Sequence, residues 1–291
     1  MFNTGDGMLE ERLLEFLCAP PAYDWEPTQL LALRLCNQAW RDKAGPALFT
    51  GCSHRLASED AQVRAAAVSA LAAASNCGRI DQDGPGDGAR AAAIDAAVKS
   101  LQDASVDVRR VALRTLAHVA PCGDRTALEQ AAALLTDRAW PVRCAAVDAV
   151  AWLAQGGDKE TTSRALELLS DRLQDADWTV RRAAARGFGN LLQFVTALSE
   201  ELKRDGVVDS QLPHPEDLQD ALEHAVFPVS QLLQDPSVHA RQAALDLLHW
   251  LPANEGLIQT LRHHSQTELV PHLRCEAEKL LGQLTEPRNP E

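Results

Sequence analysis

Five segments of this 291-residue chain superimpose so that a Val-Arg or Ala-Arg step falls in a common frame: Val63-Arg64, Val108-Arg109, Val142-Arg143, Val180-Arg181 and Ala240-Arg241. Leu273-Arg274 fits as a looser sixth copy. Six residues before the arginine stands Asp103, Asp137, Asp175 or Asp235, with Ser58 and Glu268 in the outer copies. Three residues after it every copy has alanine: Ala67, Ala112, Ala146, Ala184, Ala244 and Ala277. Seven after it come Leu71, Leu116, Val150, Phe188, Leu248 and Leu281. A recurring unit of this size cannot bury its own apolar face and is stabilised by stacking on its neighbours, so an elongated solenoid is the expected architecture. Asp or Ser ahead of an Ala-rich amphipathic run is a helix-start signal, and Pro141 and Pro236 sit where a first-turn proline is tolerated. The alanine lets neighbouring helices approach closely, and the larger residue one turn later fills the core.

The repeated pattern, in its fullest copies Leu101-Gln-Asp-Ala-Ser-Val-Asp-Val-Arg109-Arg-Val-Ala112 and Leu173-Gln-Asp-Ala-Asp-Trp-Thr-Val-Arg181-Arg-Ala-Ala184, resembles the HEAT repeat. That resemblance implies an all-α, right-handed solenoid of about six HEAT-like antiparallel helix pairs over residues 51–285, behind an N-terminal helical cap and before a short tail, 286–291. It also implies an aspartate in the turn between the two helices and the arginine early in the second. The repeat arginines are read as structural, satisfying aspartates and turn carbonyls along the stack.

Arginine spacings of 45, 34, 38, 60 and 33 residues locate two insertions. One covers Asn76 to Gly88, and the other runs from about Ser199 to Gln219. Their Gly, Pro and Asp clusters predict surface loops.

Residues 1–50 do not follow the repeat frame. Leu30-Leu-Ala-Leu33-Arg-Leu35-Cys36-Asn37-Gln38-Ala39-Trp40-Arg41 resembles the second half of an F-box, and the helix-like stretch Leu9 to Leu17 could supply its first helix. The resemblance implies docking of a ubiquitin-ligase adaptor through Leu13, Leu17, Leu30 and Trp40. The alternative is a helical cap shielding the apolar end of the stack.

With 41 acidic against 28 basic residues the formal charge is −13, which argues against sequence-independent binding of nucleic acid. No run approaches the ~18 apolar residues that span a bilayer, so no membrane association is expected. Seven scattered cysteines suit reduced thiols, and a cytoplasmic or nuclear monomer is expected.

Positions −3, +1, +5 and +9 from the repeat arginine share one helix face at i, i+4 spacing and avoid the core positions. In repeat three they are Trp140, Cys144, Asp148 and Trp152, and in repeat four Trp178, Arg182, Arg186 and Asn190. Repeat two gives Val106, Arg110, Arg114 and His118, and repeat five gives Val238, Gln242, Asp246 and Trp250. Four of the six tryptophans lie on this face. In HEAT-like proteins the second helices line the concave surface. The expected function is therefore a non-catalytic scaffold binding a protein or peptide there, with the arginines favouring an acidic partner. The bland reading of the same residues is tryptophans laid flat on neighbouring helices, and arginines paired with Asp107, Asp148 and Asp246 in an exposed network.

An F-box-like substrate receptor is the alternative function. A third follows from a resemblance to the bilin lyases in their short HEAT-like repeats, which implies a phycobiliprotein subunit and its chromophore, with Trp140, Trp178, Arg182 and Arg186 as the cradle. Enzymatic signatures are missing from the sequence: there is no His-Glu dipeptide of the deoxyhypusine hydroxylase kind, no His-Glu-x-x-His, no Cys-x-x-Cys and no phosphate loop. Neither metal nor cofactor is expected. The cluster His263-His264 with His272 is read as solvated helix-end histidines.

Overall fold

The computed structural model describes residues 52, 54–76, 86–205, 212–252 and 254–285. Residues 1–50 and 286–291 lie outside that set, and with them the F-box-like positions Leu13, Leu17, Leu30 and Trp40. The chain divides into two compact units, residues 1–120 and 121–291. In the first, α1 (Ala61–Asn76), α2 (Gly86–Ser100) and α3 (Val106–Val119) pack on one another. The second contains α4 (Arg125–Ala132), continued by a 3₁₀ turn (Ala133–Thr136), α5 (Trp140–Leu153), α6 (Lys159–Arg172) and α7 (Trp178–Asp205). A 3₁₀ turn (Pro215–Leu218) then leads into α8 (Gln219–Leu232), α9 (Val238–Leu248), α10 (Glu255–Thr267) and α11 (Pro271–Thr285).

Within the second unit the helices form two layers. The repeats' second helices α5, α7, α9 and α11 pack side by side in sequence, as do the first helices α4, α6, α8 and α10. The sequence frame explains the close approach. All six alanines three residues past the arginine are fully buried, as are Leu116, Val150, Phe188 and Leu248 at plus seven. Leu281, in the last copy, is only half-buried. These alanines expose no surface, so Ala184→Leu is expected to cost about 1–3 kcal/mol through overpacking, read as a lowered midpoint in urea with the helical signal retained.

The two kinds of helix start differently. Three of the four first helices in the second unit have side-chain caps: Asp124 accepts from the Ala127 N–H at 3.1 Å, Asp158 from Thr161 at 2.8 Å and Asn254 from Leu257 at 2.8 Å. The repeat aspartates, expected as caps of the second helices, stand two residues ahead of the N-cap position and make Asx turns instead. Asp103 accepts from the Ser105 N–H, Asp137 from Ala139, Asp175 from Asp177 and Asp235 from Ser237, all at 2.8–2.9 Å.

Asp103, Asp175 and Asp235, with Glu268 in the last copy, also meet an arginine, and that arginine comes from the preceding repeat. Arg64 grips Asp103 with Nε and Nη2 at 2.7 and 2.8 Å. Arg143 grips Asp175 at 2.8 and 2.7 Å, and Arg241 grips Glu268 at 2.6 and 2.9 Å. Arg181 donates from Nε to Asp235 at 2.5 Å. The remaining fork nitrogen, Nη1, turns back to its own repeat. It donates to the carbonyls of Ser58 and Glu59 from Arg64, Asp137 and Arg138 from Arg143, Asp175 and Ala176 from Arg181, and Asp235 and Pro236 from Arg241. Arg109 does the same to Asp103 and Ala104. Arg64, Arg143, Arg181 and Arg241 thus each tie the turn before their own helix to the opening turn of the next repeat. Arg274 departs from this role: it is exposed, and no carboxylate meets it among the described residues.

Other expectations need correction. The segment Ser199–Asp205 is not loop but the last two turns of α7, and Gly86–Gly88 open α2. Ser199-Glu-Glu-Leu-Lys-Arg is rich in strong helix formers, so the helix outruns the repeat and its basic end, Lys203-Arg204, complements the helix dipole. His264 is not solvated. It is buried with Nε2 3.4 Å from the Glu268 carboxylate, and burial pushes its pKa down against the pull of Glu268. His263 and His272 are exposed.

Candidate functional site

Outward faces of the second helices carry the residues singled out by the helical wheel. In the second unit Trp140, Trp152 and Trp178 are 48%, 49% and 39% exposed, so these large indoles are not accounted for by the core. Asp148, Arg182, Arg186, Asn190 and Asp246 are exposed as well, and Cys144, Gln242 and Trp250 are half-buried. In the first unit Arg114 and His118 are exposed on α3, while Arg110 is half-buried and donates to Asp107 at 3.0 Å.

The structure brings six of these side chains together. Arg182, Arg186 and Asn190 of α7 and Gln242, Asp246 and Trp250 of repeat five line one groove of ≈ 390 Å³. Trp178 borders it through His239, a lining residue whose ring stacks on the indole with centroids 5.7 Å apart and planes 24° apart. At the opposite end His249 lies against Trp250 at 4.5 Å.

Local pairing leaves the two groove arginines of α7 unlike each other. Arg186 faces Asp148 of α5 at 3.6 Å, both groups well exposed, an arrangement worth under ~1 kcal/mol. Asp246 accepts from Gln242 Nε2 at 3.1 Å, and the same amide donates to Glu276 of α11 at 2.8 Å. Arg182 has no carboxylate or hydrogen-bond partner among the described residues. The expected exposed network is therefore real at Asp107 and Asp148, but it does not reach Arg182. Burial pushes the Cys144 thiol up, and its Sγ donates to Thr179 Oγ1 at 3.8 Å. It is a packing group, not an activated nucleophile.

Three polar groove residues escaped the wheel: His239, His249 and Gln193. Each lies seven residues from a residue on the stripe, namely Asp246, Gln242 and Arg186. A stripe drawn only at i, i+4 drifts around the helix, and adding i, i+7 returns to the same face. That wider stripe would have found all three.

No three His, Cys, Asp or Glu side chains gather as a metal site among the described residues, and no described helix is long and apolar enough to cross a membrane.

Stacked helix pairs bound by an arginine ladder, with an aromatic and charged outer face on the second helices, define a HEAT-like helical-repeat fold. Residues 94–189 match the family model for HEAT repeats. No curated protein sequence matches the chain. Among solved structures, the fold is similar to an archaeal HEAT-like repeats protein from Thermococcus onnurineus NA1, at 20% identity over 97% of this chain and 98% of that one, with a TM-score of 0.53. It is similar to the karyopherin Kap121p, solved bound to the extreme C-terminus of the protein phosphatase Cdc14p, at 16% identity and a TM-score of 0.60. That match covers 96% of this chain but 30% of the karyopherin. An engineered protein is similar at 21% identity over 94% of this chain and 68% of its own, with a TM-score of 0.51. At such identities the likeness is one of fold.

Proposed function

We propose that the chain is a protein-interaction scaffold whose second-helix face, within residues 121–285, docks a segment of a partner protein. The observation that carries this reading is the groove between α7 and α9, with Trp250 in its lining, Trp178 bordering it through His239, and Arg182 without a partner among the described residues. Tryptophan and arginine are the side chains most enriched at binding hot spots, because each combines a large contact area with a polar handle. The repeat arginines already hold the stack, and Arg182 on the outer face is left available to a partner. A karyopherin of like fold holds a terminal peptide of another protein, which supports the same use of helical repeats.

The test is panning of a displayed library of random 12-residue peptides against the full chain and against Trp178→Ala/Trp250→Ala. Sequences enriched on the wild type are expected to be lost on the variant. Because Trp178 is exposed, Trp178→Ala alone is expected to keep its stability within about 0.5 kcal/mol. Equal enrichment on both proteins would place docking elsewhere.

A further inference from the structure

Resting on that reading of the groove, we infer that it selects an extended peptide carrying one carboxylate between two apolar residues, the acid two positions from the apolar residue at the Trp178 end and four from the other. Trp178, Arg182, Arg186 and Asn190 follow one another at single-turn steps along α7, each step being ~6 Å of helix rise. An extended chain presents alternate side chains on one face every ~6.6 Å. Positions i, i+2, i+4 and i+6 of such a peptide therefore keep pace with the four levels of the groove. From Trp178 to the level of Asn190 and Trp250 is ~18 Å, close to the ~20 Å spanned by six extended residues.

Charge decides what each level accepts. At the Trp178 level the indole, 39% exposed with the His239 ring stacked on it, offers apolar surface. The next level holds Arg182, whose guanidinium lacks a carboxylate among the described residues, while Gln242 opposite it already donates to Asp246 and Glu276. A carboxylate there gains a fork-shaped partner without displacing anything. At the third level Arg186 faces Asp148 at 3.6 Å and Asp246 lines the same groove, so a second acid would meet carboxylates as well as a cation. The last level presents Trp250 and favours a second apolar residue. A protein of net charge −13 also repels runs of acid, which again favours a single carboxylate.

The library selection distinguishes this inference from the docking reading beneath it. Peptides enriched on the wild type are expected to share two apolar residues six apart with Asp or Glu at the stated place. A synthetic peptide of that pattern is expected to bind about tenfold more weakly to Arg182→Glu. Panning on Arg182→Glu is expected to replace the acid with Lys or Arg. Peptides that depend on Trp178 and Trp250 but are neutral or basic at that position, or that keep the acid on Arg182→Glu, would overturn the carboxylate assignment and leave the docking site standing. No enrichment at all would remove both.

Discussion

Asp175→Ala is expected to lower the stability of the second unit by about 3 kcal/mol, the cost of leaving one member of a desolvated ion pair without its partner. Asp175 and Arg143 are 4% and 14% exposed at their side chains and share two hydrogen bonds. Burial alone would raise the Asp175 carboxyl, but the bonds from Arg143 and the Asp177 N–H outweigh it and hold it below the ordinary carboxylate range. Removing the carboxylate strands the Arg143 guanidinium and also dissolves the Asx turn that opens α7. Asp175→Asn keeps a turn acceptor and is expected to lose about half as much. Replacing both partners by apolar residues of similar volume should recover much of the loss, since a filled apolar contact carries no unpaired charge. Urea denaturation of the four proteins checks this; an Asp175→Ala midpoint equal to wild type would show that the pair contributes nothing.

The second large effect is in acid. Glu268 is held at about 2, chiefly by its hydrogen bonds from Arg241, against an ordinary value of 4.5. A carboxylate depressed on folding stabilises the protein fully above its unfolded pKa, and that contribution disappears as pH falls through the folded value. Glu268 therefore accounts for about 3 kcal/mol, lost between about pH 5 and pH 2. His264 acts in the same direction at higher pH. Its folded pKa is lowered by burial from 6.5, so unfolding takes up a proton below that value and stability begins to fall there. In Glu268→Gln the difference from wild type is expected to be largest at neutral pH and to close as pH approaches 2. A difference that stays constant across this window would mean that Gln fails for reasons of shape, not charge.

The fold was legible because one frame carries two physical signals. Alanine at plus three and a larger apolar residue at plus seven are a core stripe, and every one of those alanines is buried. The direction of the ladder was not legible. A repeat shows that Asp and Arg recur, but identical copies cannot reveal that Arg143 meets Asp175 of the next copy and not its own Asp137. The Ser199 region misled because spacing alone marks an insertion without saying whether it is coil, and the helix formers in Glu200-Glu-Leu-Lys-Arg204 were a better guide. His264 was misplaced beside its exposed neighbour, although it shares a helical stripe with the buried Leu257, Leu261 and Glu268. Half of the groove followed from the wheel. Its other half depends on i, i+7 neighbours and on α7 and α9 lying side by side, a tertiary fact that no single helix contains.

The ladder also gives the second unit a preferred direction of unravelling. When a repeat at the C-terminal end detaches, it carries off a carboxylate and leaves behind an arginine, which cannot shed its charge at any accessible pH. When a repeat at the N-terminal end detaches, it carries off the arginine and leaves a carboxylate such as Asp175 or Glu268, which can take up a proton and become neutral. Near neutrality both ends hold a stranded charge and resist alike. As the solution becomes acidic, the penalty at the N-terminal end fades while that at the C-terminal end persists, so acid peels the stack from one side.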